Sequence, residues 1–313
     1  MIDVTIVVCT RNRVDALQLC LASISRAALQ CPAAKIELVV VDNRSTDNTR
    51  EFVSTWLRST PFPVQFVEER RPGLGAARNT GVRNARGQLI AFTDDDCQVA
   101  PNYLSDMLWH FKNDKMPVIR GGRVELGDST DFPVGIKVDD EEVIFQYPMH
   151  PGTIALGCNM VIHRDVFALV GSFDERFGSG APFKASEETE YFYRAYLSKV
   201  PIIYVPDMVV YHFHGRKTPD VARMHYWNYS IGTGALYAKH LFARGGLQKH
   251  LYWDLRKALN EVVSYDKPEK GFEKGLFSRP FMMLQIFKGM ALFWVTSAAD
   301  RSGVKYVQRA LTT

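Results

Sequence analysis

The sequence has few of the features that hold disulfide-stapled or zinc-stapled proteins together. Its five cysteines are an odd number and include no Cys-x-x-Cys pair; they are Cys9, Cys20, Cys31, Cys97 and Cys158. Disulfide frameworks and structural zinc sites usually need paired, regularly spaced cysteines, so neither is expected here. We therefore expect the protein to work in a reducing compartment, the cytoplasm.

Signals for export and for membrane insertion are also lacking. The chain enters an apolar run at Val4 without a charged leader, so secretion is not expected. Residues 281–300 form an apolar stretch, but Lys288 interrupts it and Asp300 ends it, which leaves it too short for a spanning helix. We expect an amphipathic helix packed on the domain, and the alternative is a peripheral contact with the inner membrane face.

The excess of positive charge is small. The chain has 38 Lys and Arg residues against 34 Asp and Glu residues, a formal net charge of +4 over 313 residues. Because the basic residues are scattered, we expect no nucleic-acid partner. The length suits one large domain or one domain with an appendage.

Apolar runs alternate with helical patterns in the first hundred residues. The runs VTIVV (4–8) and IELVVV (36–41) are continuous, which is typical of strands buried on both faces of a parallel sheet. Apolar residues recur between them at steps of three and four, which predicts a helix. The three segments therefore form a βαβ unit, whose crossover should be right-handed.

Two more strands are predicted, over residues 64–69 and 88–93, and each follows a helix. The first of these helices is expected to begin with a capping box formed by Asn48 and Glu51. The second is expected to end at Gly87. The chain from about residue 216 onward is helical and aromatic in pattern and is predicted to be a C-terminal extension.

Polar groups stand at three predicted strand ends, in residues 9–13, 42–47 and 93–96. In open α/β sheets, ligands bind beyond the carboxyl ends of the strands, so these groups are expected to share one site. The cluster Asp94, Asp95 and Asp96 offers hard oxygen ligands for Mg²⁺ or Mn²⁺, which would also hold a nucleoside diphosphate. The alternative is a solvated acidic turn.

Basic residues near those strand ends could meet phosphate. Residues 70–81 contain Gly73 and Gly75 but no dinucleotide fingerprint, because Arg78 stands where the third glycine of that fingerprint belongs. Arg78 at a helix start suits an anion site, and a surface arginine is the alternative. Arg11 and Arg13 would add positive charge where a diphosphate would lie. The alternative is that both are ordinary solvated arginines. Asp42 would accept hydrogen bonds from a ribose or a base, or cap its turn.

Two later segments carry candidates for acid–base chemistry and metal binding. Glu187, Glu188 and Glu190 open a predicted helix, where the macrodipole favours negative charge; alternatively one of them is a general base. His212 and His214 point to the same side of a predicted strand. Either would shift the preferred ion from Mg²⁺ toward Mn²⁺, unless both are structural.

Five motifs follow one another over about residues 3–214: VTIVVCTRNR, ELVVVDNRSTDNT, RPGLGAARNTGVRNARGQLIAFTDDDC, GCNMVIHRDVFALVGSFDERF and SEETEYFYRAYLSKVPIIYVPDMVVYH. In this order they resemble the motifs of family-two-like inverting glycosyltransferases with the GT-A fold. The resemblance implies an α/β fold, a Rossmann-like α/β/α sandwich with a mostly parallel central sheet, and a helical C-terminal extension. It implies a nucleotide-sugar-binding half over 1–100, an acceptor-binding half over 101–215 and the extension over 216–313.

The resemblance also implies roles for single residues. Asp94 and Asp95 would lie by the ribose and diphosphate, Asp96 would bind the metal, and His212 would end the domain near it. The residues that would line the nucleotide pocket are Thr10, Arg11, Asp42 and Arg78.

Glu188 matches the second acid of the family's Glu-Asp pair, the usual base. Two departures stand out: the pair here is Glu187-Glu188, and residues 9–12 read CTRN where many relatives have Pro-Thr-Tyr-Asn. The first changes the pair that would supply the general base, and the second removes the tyrosine that would stack on the nucleobase.

The implied activity is transfer of a sugar from a UDP-, GDP- or dTDP-linked donor to a hydroxyl of a glycan, a lipid-linked glycan or a small molecule, with Mn²⁺ or Mg²⁺. Such reactions belong to glycan, polysaccharide or glycoconjugate biosynthesis. A sugar-1-phosphate nucleotidyltransferase is one alternative, but its glycine-rich loop is missing from CTRNRVD. A non-catalytic nucleotide-sugar-binding subunit is another, and intact Asp96, Glu188 and His212 argue against it.

Overall fold

A computed structural model of the chain describes residues 1–243, 246–264 and 278–299. The chain divides into two units. The first comprises residues 1–176 and 187–218, and the second comprises residues 177–186 and the residues from 219 onward.

The first unit begins with alternating strands and helices, as the sequence predicts. Up to Asp94 they are β1 (Val4–Thr10), α1 (Val14–Gln30), β2 (Ile36–Asp42), α2 (Thr49–Trp56), β3 (Val64–Glu68), α3 (Leu74–Asn84) and β4 (Leu89–Asp94). The remaining elements are β5 (Cys97–Val99), α4 (Tyr103–Asn113), β6 (Ile119–Leu126), β7 (Val143–Ile144), β8 (Met160–His163), α5 (Arg164–Val170), α6 (Glu187–Leu197) and β9 (Ile202–His212).

One sheet runs through this unit in the order β3-β2-β1-β4-β8-β6-β9-β5, and β7 pairs with β9. The strands from β3 to β4 are all parallel, whereas β8 is antiparallel to both of its neighbours. Strand order reverses at β1, which lies between β2 and β4. In register, Thr10 lies beside Asp42, and Cys9 lies beside Asp94. The polar strand ends therefore meet at one edge of the sheet.

The core has two layers, one on each face of the sheet. Alternate residues of β1 show this: Val8 belongs to the cluster that contains Leu17 of α1, and Val7 to the cluster that contains Ala77 of α3. Side chains of α2 and α4 join the first cluster, and side chains of α5 and α6 join the second. Successive strand side chains point to opposite faces, which is why continuous apolar runs fit a sheet covered on both sides. The predicted α/β/α sandwich is confirmed.

The predicted capping box at the start of α2 is wrong, although the helix begins where expected. Asn48 makes no side-chain capping hydrogen bond. Instead, an oxygen of Asp47 accepts hydrogen bonds from the Thr49 backbone N–H at 3.2 Å and from its hydroxyl at 2.6 Å. The other Asp47 oxygen accepts from the Val14 N–H at 3.2 Å. The Asp47 carboxylate thus accepts backbone hydrogen bonds at the starts of both α1 and α2. It can do so because it lies one residue before Asn48 and has two acceptor oxygens.

The predicted helix stop at Gly87 is also wrong. Helix α3 ends at Asn84, and the backbone N–H of Ala85 donates to the Gly81 carbonyl at 2.9 Å. A Cβ on Gly87 would lie 2.7 Å from the Val4 carbonyl carbon. Gly87 therefore allows the backbone at this position to lie close to β1, and it does not terminate the helix.

From residue 219 onward the described part of the second unit is helical, which confirms the predicted helical C-terminal region. It contains α7 (Pro219–Lys239), α8 (Leu247–Ser264) and α9 (Arg279–Ala299). Helices α7 and α9 approach closely at Gly234, where the absence of a side chain leaves room. A Cβ there would collide with the carbonyl oxygen of Ile286. Within the described ranges, none of the helices combines the length and the apolarity that a membrane crossing requires. Residue 300, the last of the apolar stretch, lies outside those ranges.

Candidate active site

The loops after β1 and β2 are joined by side chains that the sequence analysis did not single out. Asn12 adopts a left-handed conformation with φ 55°, and its side-chain oxygen accepts from the Thr46 N–H at 2.6 Å. Asp42 is buried and accepts from the Ser45 N–H at 2.9 Å. The turn-capping alternative for Asp42 is thus observed, and its carboxylate lies at the shared edge. Asparagine tolerates the left-handed region better than most residues, and this preference is the signal by which Asn12 could have been found.

Three aspartates stand at the end of β4 and are balanced by cationic groups. Asp95 and Asp96 are buried and Asp94 is half-buried. The Arg13 guanidinium lies 3.2 Å from an Asp95 oxygen and 2.6 Å from an Asp96 oxygen, while half of its side chain remains exposed. Thr10 donates a hydrogen bond to Asp95 at 2.8 Å. The strand can therefore end in clustered negative charge because positive charge lies directly beside it.

Asp94, Asp96 and His212 form a group with the composition of a metal site. Their ligand atoms all lie within 4.8 Å of one another. Antiparallel pairing of β5 with β9 sets His212 opposite Cys97, the residue after Asp96. His212 Nε2 lies 3.3 Å from Asp96 Oδ1, and its buried Nδ1 finds no hydrogen-bond partner in the described part of the chain. Two carboxylates and an imidazole with an unsatisfied nitrogen fit a hard divalent ion such as Mn²⁺.

The surroundings of Asp95, Asp96 and His212 move the pKa of each away from its ordinary value. Burial alone would raise the pKa of Asp96, but His212 and Arg13 outweigh it and hold that pKa at about 2. Burial opposes the charged form of His212, yet the neighbouring Cys158 and Asp96 raise its pKa to about 9. For Asp95, burial dominates over the Arg13 charge and raises the pKa to about 6. Asp96 is thus ionised at neutral pH, as a ligand must be, whereas His212 has to release its proton when it binds a metal ion.

Arg78 is fully buried, so the surface alternative for this residue is wrong. Its Nη1 donates to Glu187 Oε1 at 2.6 Å, and its Nη2 donates to the Gly157 carbonyl at 3.0 Å. Asp94 Oδ1 lies 3.5 Å from Nη2. The guanidinium thus links the end of β4 to the start of α6, and Glu187 is held as its ion-pair partner.

Glu188 differs from the acids on either side of it in α6. Glu187 pairs with Arg78, and Glu190 pairs with Arg194 at 2.9 Å. Among the described residues, no basic side chain comes within ion-pair distance of the half-buried Glu188. Burial and the neighbouring Glu187 charge raise the pKa of Glu188 to about 8, although Arg78 opposes the shift. A carboxyl group poised near neutrality in this way is suited to general-base chemistry.

Two predicted residues are not among the ligand atoms of this cluster, although the ring of His214 packs edge-on against that of His212, with centroids 5.0 Å apart. Arg11 is exposed on the loop after β1. His214 lies beyond the end of β9, and its Nδ1 is 3.3 Å from an Asp131 oxygen. Of the two histidines considered from the sequence, the structure therefore places His212 in the metal-type cluster. The sequence analysis also missed Cys158, which lies close to His212 and Cys97.

The sequence is similar to those of known glycosyltransferases. The model of the family described as Glycosyl transferase family 2 matches residues 5–171. Glycosyltransferase AglE of Haloferax volcanii is 25% identical over 178 residues, which are 56% of this chain and 58% of AglE. The chain thus spans less than two thirds of that relative.

Two solved structures have similar folds at low sequence identity. One is Staphylococcus aureus TarS 1–349 in complex with UDP, with a TM-score of 0.55, 17% identity, and coverage of 96% of this chain and 92% of that one. The other is the mannosyltransferase PcManGT from Pyrobaculum calidifontis in complex with GDP-Man and Mn²⁺, with a TM-score of 0.56, 17% identity and coverage of 96% and 75%. Both likenesses support the GT-A fold inferred from the sequence.

Proposed function

Because the chain belongs to glycosyl transferase family 2, we propose that it transfers a sugar from a nucleoside-diphosphate donor to an acceptor hydroxyl, with inversion and with a divalent ion. The observation that carries this proposal is the cluster of Asp94, Asp96 and His212 at the polar edge of the sheet. The solved structures similar to this chain include one that binds UDP and one that binds GDP-Man with Mn²⁺.

The proposed metal site uses Asp96 and His212, with Asp94 as a third donor. A divalent ion held there would supply positive charge to the diphosphate as the anomeric C–O bond breaks. The chain's own contribution is to keep Asp96 ionised and His212 oriented. Mn²⁺ is proposed ahead of Mg²⁺ because an imidazole joins the carboxylates.

The proposed donor site surrounds the ends of β1 and β2. Asp42 would accept a hydrogen bond from the ribose or the base, and Thr10 would keep Asp95 in place through the 2.8 Å hydrogen bond. The half-exposed Arg13 has room to turn from Asp95 and Asp96 toward a diphosphate. Arg11, exposed on the same loop, would add a second positive charge.

Arg78 would act by positioning rather than by direct contact with the nucleotide, because its guanidinium is already bound to Glu187 and the Gly157 carbonyl. Its charge also lies near Asp94. In this way one buried cation would keep the acidic edge of the donor site and the start of α6 at a fixed separation.

Glu188 is the proposed general base. It would take the proton from the acceptor hydroxyl as that oxygen bonds to the anomeric carbon on the face opposite the departing diphosphate, which inverts the configuration. Glu187 would keep Arg78 bound instead of accepting this proton. The raised pKa of Glu188 favours proton uptake near neutral pH.

Replacing Asp96 tests the proposal. We expect Asp96→Ala to abolish Mn²⁺-dependent donor hydrolysis and sugar transfer, while Asp140→Ala retains both. Asp140 is a matched control because its carboxylate is 89% exposed and pairs only with Arg123 among the described residues. Full turnover by Asp96→Ala would contradict the metal assignment. Donor binding without any hydrolysis or transfer in the unsubstituted chain would favour the non-catalytic subunit instead.

For location, we propose the cytoplasm, with α9 in contact with the inner membrane face. The side chains of Leu284, Phe287 and Trp294 are exposed on one side of α9, at steps of three and seven residues. The described helix carries basic Arg279 and Lys288 and no acidic residue. An apolar stripe with net positive charge is the pattern that binds anionic lipid surfaces.

A further inference from the structure

Two cysteines that are distant in sequence lie beside the proposed metal cluster. The thiol sulfurs of Cys97 and Cys158 and a ring nitrogen of His212 all lie within 4.8 Å of one another. All three side chains are buried. Zn²⁺ binds sulfur at about 2.3 Å and imidazole nitrogen at about 2.0–2.1 Å, so its tetrahedral ligands are about 3.5–3.8 Å apart. Small side-chain rotations would bring these three donors to that spacing.

The fold holds these donors from several directions. Cys97 opens β5 and lies directly across from His212 of β9. The residue before Cys158 is Gly157, whose carbonyl accepts from Arg78. The residue after it is Asn159, whose amide donates to the Arg123 carbonyl at 2.9 Å and to the Met208 carbonyl at 2.8 Å. Cys158 is therefore fixed through both of its neighbours, which is the preorganisation that a metal site needs.

His212 and Asp96 belong to this group as well as to the carboxylate cluster. Cys97 Sγ lies 3.9 Å from Asp96 Oδ1, which makes Asp96 available as a fourth ligand. The buried His212 Nδ1 has no hydrogen-bond partner among the described residues, so this imidazole is not committed to a second hydrogen bond. One imidazole cannot serve both donor sets at once.

We propose that Cys97, Cys158 and His212 form a second site, selective for thiophilic divalent ions of the Zn²⁺ and Cd²⁺ class. Thiolate ligands favour such ions, whereas the Asp94 and Asp96 carboxylates favour Mn²⁺ and Mg²⁺. Each thiol that becomes a ligand releases one proton to solvent, a protonated His212 releases one as well, and no oxidant is required. Occupancy would withdraw His212 from the carboxylate cluster, so the two ions would exclude each other. This exclusion rests on the proposed function, whereas binding at the thiols does not.

The binding claim is tested with the 313-residue chain and Cd²⁺ alone. We expect one Cd²⁺ per chain, with a cadmium–thiolate absorption band and a ¹¹³Cd chemical shift typical of two sulfur ligands. Cys158→Ser should weaken Cd²⁺ binding by more than about 100-fold, since even outer-shell substitutions cost about 10–100-fold. Cys31→Ser is the matched control, because Cys31 is a half-buried thiol just after α1 and outside the cluster; it should leave binding unchanged.

The binding proposal is overturned if the unsubstituted chain shows no thiolate band, or if the band survives in Cys97→Ser/Cys158→Ser. The ¹¹³Cd measurement needs no variant, so a substitution that prevents folding does not block the test. A shift typical of oxygen ligands alone would likewise overturn the proposal.

The exclusion claim is tested by electron paramagnetic resonance of Mn²⁺. We expect Cd²⁺ to release bound Mn²⁺ one for one from the unsubstituted chain, and Cys158→Ser to retain Mn²⁺ at the same Cd²⁺ concentration. Simultaneous binding of both ions would overturn the shared role of His212. If no Mn²⁺ binds while the thiolate band is present, the proposed metal-dependent function fails and the thiol site stands.

Discussion

Single residues at the active site depend on partners that lie far away in the sequence. Arg78 meets Glu187 and the Gly157 carbonyl, and Asp96 meets Arg13 and His212. The sequence indicated which residue types could form a site, because Asp96, Glu188 and His212 fit family motifs. It could not show that Arg78 is buried, since a charged side chain leaves the surface only where a partner compensates its lost hydration.

The pH dependence of turnover reports on Glu188. A general base works in its deprotonated form, so turnover should rise with pH up to about 8, the raised pKa of Glu188, and level off above it. Glu188→Gln should lower turnover by about 10²–10⁴-fold and remove this rise. The measurements are the pH profile of transfer and donor binding by calorimetry. Loss of donor binding in Glu188→Gln would remove Glu188 from the base role.

Arg78 should matter more for stability than Arg83, the other arginine of α3. Arg78→Met leaves Glu187 buried without its cation, and we expect the free energy of unfolding to fall by about 3–5 kcal/mol. Arg83 lies on the same helix and its side chain is 57% exposed, so Arg83→Met should cost at most about 1 kcal/mol. Denaturant unfolding of the two variants measures the difference, and equal losses would contradict the structural role of Arg78.

At the scale of helices and strands, the sequence predicted which elements exist and whether each is a helix or a strand. It predicted less well the residues at which they end and the side chains that cap them. Continuous apolar runs identified β1 and β2, because strands covered on both faces need no polar alternation. The start of α2 was placed well, but its cap was assigned to Asn48 instead of Asp47. The end of α3 was placed too late, because Gly87 meets a packing requirement against β1 that only the folded chain shows.

Helix α9 carries a prediction of its own. If its exposed face contacts lipid, Phe287→Ser/Trp294→Ser should lose most of the binding to vesicles that contain anionic lipid, as measured by co-sedimentation. Leu169→Ser is the matched control, since Leu169 is a 61% exposed residue on α5 of the first unit. Equal binding by the two variants, or none by the unsubstituted chain, would leave the membrane contact without support.

For the whole molecule, the order of strands was harder to predict than the strands themselves. Pairing of β5 with β9 joins residues more than a hundred positions apart, and no local pattern encodes it. The assignment of residues 177–186 to the same unit as the C-terminal helices was likewise not expected from the sequence. The division into donor-binding and acceptor-binding halves, 1–100 and 101–215, stays a prediction.

Ligand-linked stability tests the donor assignment on the intact chain. A ligand present at 100 times its dissociation constant stabilises the folded state by about 2.7 kcal/mol. We expect the melting temperature to rise with Mn²⁺ plus one of the UDP-, GDP- or dTDP-linked sugars, and the rise to disappear in Asp96→Ala. A screen in which no nucleotide sugar changes the melting temperature would contradict the proposed donor site.

The short connection from β4 to β5 has a geometric consequence. Strand β4 lies in the interior of the sheet and β5 at its edge, four strand positions away, which in a flat sheet is about 19 Å. The step from Asp94 to Cys97 spans three residues and reaches at most about 11 Å. The sheet must therefore curl until its edge strand β5 comes close to β4, and the connection through Asp95 and Asp96 keeps these two strands together. Inserting one residue into this connection is expected to loosen the curl and to move the aspartates away from His212.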